Sequence, residues 1–366
     1  MAVMAFMLPL LKSKSGDFLD KKDIRSMTKE ELIEDFAKIG EPKFRAEQVF
    51  SWLCLGTESF SQMTNISINL RNKLDEIYFI PTVKIIRKLV SQVDNTKKYL
   101  YELYDGNLIE SVLMEYKHGY TVCISTQVGC RMGCSFCASG LNGLVRNLLP
   151  SEMLAQVMMA GKDNNIRVSN IVLMGMGEPL DNFDNVLRFL ELVNNKDSLN
   201  IGYRHISLST SGVVPKIIEL SKYKLPITLS ISLHAPFDDI RTNMMKVNKA
   251  WNIGELINAC KLYQKATGRR ISFEYAMIDG VNDTRACAEK LAEILKGIMC
   301  HVNLIPVNPV KENDYKKSTK ATLNAFANKL ISLGINATIR RTLGSDIDAS
   351  CGQLRQNFES NRGDTI

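Results

Sequence analysis

The chain has 366 residues, 45% of them hydrophobic and 23% charged, with a formal net charge of +7. That length suits about two domains, or one barrel with an appendage, and the balance excludes a disordered or fibrous protein. The mild basic excess permits a nucleic-acid partner without demanding one.

The opening stretch MAVMAFMLPLL runs to Lys12 with no positive n-region and no small-residue cleavage site. It is too short to span a bilayer, so no membrane partner is expected. Residues 1–20 read as an unstructured extension without an assigned function. Next, Thr28 and Glu31 make a capping box, Leu32, Ile33, Phe36 and Ile39 recur at helical spacing, and Gly40 stands where a helix stops. A second helix is expected from Pro42 through KFRAEQVFSWL and a third in NLRNKLDEIYF, ending before Pro81. Residues 21–81 therefore read as a helical accessory domain. Its Lys43, Arg45, Arg71 and Lys73 could meet phosphate or simply form a solvated face.

From Thr82 to Tyr120 the apolar period falls to two, with turn signals DNT, DG and KHG around the runs YLYELY and LIESVLMEY. That pattern predicts a strand meander, a β extension over 82–120. Beyond it the strand-length runs TVCIST, NIVLMG, HISLST, ITLSISLH, ISFEYAMI, HVNLIPV and NATIRRT alternate with helical stretches near 151–161, 184–194, 214–222, 253–266, 284–296 and 319–333. Six or more such units indicate an α/β fold, a partial (βα)6 TIM-like barrel over 121–345, with its chemistry at the C-terminal ends of the strands. The polar segments GMGEP, STSG, SLH and PVNP fall at those ends. Residues 346–366 read as a C-terminal loop and polar tail.

Nine cysteines are present. The number is odd and no secretory signal precedes them, so a reducing cytoplasm is expected and clustered thiols point to metal or redox chemistry. Cys130, Cys134 and Cys137 form a C-x3-C-x2-C group directly after the first barrel strand. A structural zinc ion wants four protein ligands, and here it would have to recruit Cys123 or Cys351. A 4Fe-4S cluster held by three thiolates instead leaves one iron open to chelate the amino and carboxylate groups of S-adenosylmethionine (SAM), and this spacing with Phe136 before the last cysteine is the radical SAM signature. In MGMGEP, Gly175 and Gly177 allow close backbone approach and Glu178 can accept from the SAM ammonium. Ser209, Ser232, Leu233, His234 and Asn308 end later strands, where each could meet SAM or serve as a local hydrogen-bonding residue. Cys123, within the first strand, reads as a small buried hydrophobe or a reactive thiol. Cys351, in GSDIDASCGQL, lies in loop-like rather than core-like surroundings.

In chain order, STQVGCRMGCSFCASGLNGLVRNL, LMGMGEPLDN, LSTSGVVP, SISLHAP, LIPVNP and SDIDASCGQL closely resemble the RlmN family of radical SAM adenine methyltransferases, over about residues 21–355. The resemblance implies a ping-pong reaction with two SAM molecules, in which Cys351 is methylated and then delivers its carbon to carbon 2 of an adenine. It implies that Cys123 resolves the protein–RNA adduct through a disulfide with Cys351, and that Glu110 is a proton acceptor, a role for which Cys123 competes. Implied substrates are 23S rRNA, at an adenosine of the peptidyl-transferase loop, and tRNA, at the adenosine 3' of the anticodon. A flavodoxin- or ferredoxin-like electron donor and a monomeric state are expected. Such a base must be splayed out and gripped through phosphates and stacking, for which Lys43, Arg45, Arg146, Lys316, Lys317, Lys320, Arg340 and Arg341 are basic candidates. The alternatives are a Cfr-type enzyme acting on carbon 8 and a non-catalytic Fe–S or zinc RNA-binding module.

Overall fold

The computed structural model of the protein describes residues 21–308, 314–349 and 353; Cys351 lies outside the described residues. At the N-terminus, β1 (Lys22–Asp23), α1 (Lys29–Lys38), α2 (Lys43–Cys54), α3 (Ile68–Ile77) and β2 (Tyr78–Phe79) follow one another. Helix α1 begins where expected because the Thr28 side chain accepts from the Glu31 amide while Glu31 accepts from the Thr28 amide. The apolar faces built on Leu32, Phe36, Val49, Leu53, Leu70 and Leu74 close on one another as a separate core. Helix α3 stops two residues short of the predicted end. Tyr78 and Phe79 turn extended to pair in parallel with β1, and the buried Tyr78 hydroxyl donates to Asp35 at 2.9 Å. Two of the candidate phosphate contacts are committed internally: Arg71 donates to the carbonyls of Ile66, Ser61 and Thr64, and Lys73 donates to that of Ile39.

The rest of the fold hangs on one sheet. Strands β3 (Val83–Val90), β4 (Lys97–Leu103), β5 (Leu108–Tyr116) and β6 (Gly119–Cys123) form the meander. After β6 come the short strands β7 (Gln127–Gly129) and β8 (Leu144–Asn147), then α4 (Pro150–Asn164), β9 (Val168–Leu173), α5 (Phe183–Asn194), β10 (Ile206–Thr210), α6 (Val214–Tyr223) and β11 (Thr228–Ser232). The series ends with α7 (Asp238–Met244), α8 (Ile253–Thr267), β12 (Ile271–Met277), α9 (Arg285–Leu295), β13 (Cys300–Pro306), α10 (Lys320–Ser332) and β14 (Ala337–Ile339).

The ten-stranded sheet has the order β14-β13-β12-β11-β10-β9-β6-β5-β4-β3. Strand β6 is the pivot, antiparallel to β5 on one edge and parallel to β9 on the other. From β6 to β14 all neighbours are parallel, which is the partial barrel predicted from the alternating pattern, and the meander continues the same sheet. Among the described residues no strand pair joins β14 to β3, so the sheet stays open. No described helix is long and apolar enough to cross a membrane.

The β7–β8 hairpin was not legible in the sequence. It pairs Gln127 with Asn147 and Val128 with Arg146, and the cysteine loop is the excursion between its strands. Its stem is clamped by Arg146, which donates two bonds to Glu152 at 2.8 Å and one to Asp105 at 2.5 Å. Arg146 is thereby an internal anchor and not a free phosphate contact as its charge alone suggested. Glu152 is fully buried, so removing its cation strands a charge in a dry site. Arg146→Met is expected to cost about 3–5 kcal/mol of stability, read by urea denaturation, whereas Lys320→Met on the surface should shift it by less than about 0.5 kcal/mol.

Candidate active site

The cysteine loop is shaped by its own backbone bonds. The Cys130 amide donates to Gly143 O at 2.9 Å, the Cys137 amide to Cys134 O at 3.1 Å, and the Ser135 amide to Met244 O at 2.9 Å. Met132, Cys134 and Phe136 pack on an apolar cluster that includes Met244, Met245 and Val247. All three thiols face a single cleft at the C-terminal ends of the parallel strands. Burial pushes the Cys130 thiol up to about 12, with the charges of Glu178 and Cys137 acting in the same direction against an amide bond from Met132. Cys134 is raised for the same first reason, and the neighbouring Cys137 and Cys130 add to it. Three thiols that destabilise one another as anions, in a desolvated pocket, form a donor set that fits a cationic iron–sulfur cluster. Among the described residues no three His, Cys, Asp or Glu side chains converge as a single metal ion would require. A cubane spreads its thiolates over separate irons.

The rest of that cleft contains most of the residues singled out from sequence: Gly177, Glu178, Ser209, Ser232, His234 and Asn308 line it with the thiols. The Gly-Met-Gly turn earns its glycines against protein atoms. A Cβ at Gly175 would meet Ile124 O at 2.6 Å, and one at Gly177, where φ is +102°, would meet Gln127 Cβ at 2.5 Å. The turn is pressed onto the chain that leads into the cysteine loop. Glu178, 3% exposed, accepts from the amides of Leu180 at 3.0 Å and Ser211 at 2.7 Å. Burial nevertheless raises its pKa, the amides opposing it.

His234 adopts φ +57°, and its Nδ1 accepts from the Ala276 amide at 2.9 Å. The ring proton therefore sits on Nε2. Burial, and then the Arg241 charge, bring its pKa down to about 3, so the ring is neutral. Phe136 stands edge-on to it, with centroids 4.8 Å apart. Leu233 differs from its neighbours. It is fully buried and does not line the cleft, and its carbonyl is taken by Arg241 Nε at 3.1 Å.

Three residues with no role assigned from sequence organise this region. The buried Arg241 guanidinium also donates to the carbonyls of Ser211 at 2.7 Å and Ser232 at 3.2 Å, and to Asn248 at 2.8 Å. Nothing in DDIRTN hinted at this. Gln127 accepts from the Glu178 amide at 2.8 Å. Glu274 lines the cleft and accepts from Asn303 and Ser272. For Glu274 a signal existed, since it is a polar side chain inside the strand-like run ISFEYAMI; Gln127 falls just beyond the run TVCIST.

A second cleft adjoins the first and shares Met174, Ile305, Pro306, Asn308 and Arg340 with it. Cys123, 6% exposed, forms part of its wall with Val112, Met114, Tyr116 and Ala349. Cys123 stands opposite Val112 across the β5–β6 pair. Glu110, two residues before Val112 on the same face, is 5% exposed and makes an ion pair with Lys98 at 3.2 Å. The structure thus brings Cys123 and Glu110 to one face of the sheet.

With this geometry in place, the likeness to known proteins is specific. Residues 124–292 match the Radical SAM superfamily, and residues 22–80 match the ribosomal RNA large subunit methyltransferase N-terminal domain. The chain is 52% identical over 341 residues, 93% of its length and 99% of the relative's, to a probable dual-specificity RNA methyltransferase RlmN of Clostridium novyi (strain NT). It is 51% identical over 343 residues, 93% and 100% of the two chains, to the one of Clostridioides difficile (strain 630). Its fold matches the crystal structure of a radical SAM methyltransferase from Sphaerobacter thermophilus with a TM-score of 0.86 at 42% identity, covering 91% of this chain and 99% of that one. A partial barrel with its thiols grouped in one cleft, joined to the matching helical domain, leads to one conclusion: the chain belongs to the RlmN family of radical SAM RNA methyltransferases.

Proposed function

We propose that the protein methylates carbon 2 of an adenosine in the peptidyl-transferase loop of 23S rRNA and of the adenosine 3' of the anticodon in tRNA, passing the methyl group through Cys351. The observation that supports this reading best is the shared wall between the cleft of the clustered thiols and the cleft of Cys123. Ala349, two residues before Cys351 in the sequence, lines the second cleft.

In this scheme Cys130, Cys134 and Cys137 hold a 4Fe-4S cluster, while Glu178, Ser209, Ser232 and Asn308 orient SAM. When bound, cluster and SAM supply a one-electron cleavage that lets a methyl hydrogen be abstracted, a route to the electrophilic carbon 2 of adenine that polar methyl transfer lacks. His234 offers that cleft a neutral Nε2–H donor, its other nitrogen being engaged by Ala276. Cys351, as thiolate, attacks the methyl carbon of a first SAM and takes its methyl group, with S-adenosylhomocysteine as the leaving group. Cys123 resolves the later protein–RNA adduct by closing a disulfide with Cys351, which must be reduced before the next turnover, and a flavodoxin- or ferredoxin-like protein supplies the electron that the cluster would spend on SAM. Glu110 is the second candidate for the adduct proton. The helical domain and the basic surface hold the RNA while its target base is splayed out. The protein acts as a monomer in the cytoplasm.

The direct test is to incubate the reconstituted protein with SAM, a reductant and an rRNA fragment, then digest the RNA and identify the nucleoside by mass spectrometry. Product methylated at carbon 2 is expected; product methylated at carbon 8, or none, rejects the assignment. Cys123→Ala is expected to accumulate protein covalently joined to RNA, visible as a nuclease-sensitive gel shift. The pH dependence of stability offers an independent check on His234. Its pKa is lower in the folded state than the ordinary 6.5, so the unfolded chain binds the extra proton. Its contribution is complete above pH 6.5 and is lost by about 1.4 kcal/mol for each pH unit below that, down to about pH 3. Urea denaturation at pH 7.5 and 5 should show this loss in the native protein and not in His234→Asn, which tolerates the left-handed backbone.

A further inference from the structure

We propose that Lys98 is a positioning residue of the methyl-transfer reaction, a single buried ammonium that holds Glu110 in place and ties down the root of the segment leading to Cys351. The proposal rests on the function proposed above. It begins with where the residue lies. Lys98 sits on β4 directly opposite Val112 on β5, and Val112 in turn stands opposite Cys123 on β6. Side chains directly opposed across a sheet share a face, so Lys98, Val112 and Cys123 form a row across three strands on the cleft side. Glu110 is the next residue of β5 on that face. The Lys98 side chain is 8% exposed and that of Glu110 7%, with Nζ and Oε1 3.2 Å apart.

The same ammonium makes a second contact far along the chain. Lys98 Nζ donates to the carbonyl of Asp348 at 3.3 Å, three residues before Cys351 in the sequence. The turn between β3 and β4 reinforces this attachment. Asp346 accepts from the Ser91 hydroxyl at 2.6 Å and from the Gln92 amide at 2.9 Å, and the Gly344 amide donates to Asp94 at 2.8 Å. Residues 91–98 therefore grip residues 344–348 at four points, and Lys98 is the one among these four that also reaches a carboxylate on the cleft face.

A structural role alone explains this arrangement poorly. Cross-strand ion pairs that merely support a sheet can sit on its wet face, where neither ion loses its hydration. A buried pair forfeits much of its Coulomb gain to desolvation, and an apolar pair of the same volume is often as stable or more so. The ionic pair is accounted for if the charge is needed: Lys98 orients Glu110 as a proton acceptor, and couples its position to that of the chain leading to Cys351.

The test uses full-length holoprotein with native, Lys98→Met and Lys98→Arg sequences. Four quantities are read: iron and sulfide content, the melting curve, S-methylation of Cys351 by peptide mass spectrometry, and methyl groups transferred to RNA per SAM cleaved. Lys98→Met is expected to retain its cluster yet lose tenfold or more in RNA methylation per SAM cleaved, with reduced Cys351 methylation, and Lys98→Arg to recover a substantial part of both. A structural role would move the melting curve while leaving the ratio of methylation to SAM cleavage unchanged, and that result overturns the proposal, as does native turnover in Lys98→Met. Should Lys98→Met fail to fold because it strands Glu110, the pair Lys98→Met/Glu110→Gln is compared with Glu110→Gln alone. Lower Cys351 methylation in the double variant upholds the tether, and equal methylation refutes it. Absence of any carbon 2 product from the native protein would instead be a failure of the proposed function, so the two failures are distinguishable.

Discussion

Strand β6 must satisfy two neighbours of opposite sense, and most of the site follows from that constraint. Its antiparallel ladder with β5 and its parallel ladder with β9 both register Cys123, against Val112 on one side and Val172 on the other. A slip of one residue on either edge would turn Cys123 to the opposite face and lose pairing on both. Two residues later the chain is tied again, because the buried Ser125 hydroxyl donates to Glu110 O at 2.6 Å and accepts from the Met176 amide at 2.9 Å. The path from the Cys123 thiol to the cysteine loop is thus short and held at both ends. The Cys123 thiol and the three clustered thiols, in adjoining clefts, are thereby set on one stiff segment.

The loops above the strands gain rigidity from buried polar groups whose partners are protein atoms. Arg241 satisfies three carbonyls at the ends of β10 and β11, and Glu178 receives two backbone amides. Each bond is modest taken alone, but in a site of low local dielectric a satisfied network resists rearrangement, since breaking any member exposes a desolvated partner. The close approach of Gly175 to Ile124 and of Gly177 to Gln127 presses this layer onto β6 and β7. A cleft assembled from loops thereby acquires the fixed geometry that orienting a cofactor requires.

Much of this was readable from the residues in order. The capping box at Thr28 and Glu31, the alternation of apolar strands with helices, the C-x3-C-x2-C spacing and the polar strand ends all reflect interactions between near neighbours or repeats of one local unit. The errors have a common cause as well. Arg71 and Arg146 were candidate phosphate contacts because a sequence shows a charge and not its partner; in the fold one caps three carbonyls and the other bonds Glu152 and Asp105. Tyr78 and Phe79 looked helical by spacing, yet pairing with β1 and the bond from Tyr78 to Asp35 drew them into a strand.

By itself the sequence determined the secondary structure in outline, the barrel class, the three grouped thiols and several of the residues lining their cleft, since local periodicity and spacing carry that information. Only tertiary structure decided that the meander extends the barrel sheet, that a hairpin carries the cysteine loop, and that Lys98, Glu110 and Cys123 share a face with the root of a segment 250 residues away. Strand register and long-range burial produce these contacts, and both depend on how separate elements satisfy one another's backbone bonds and apolar surface, a condition that no stretch of sequence states alone.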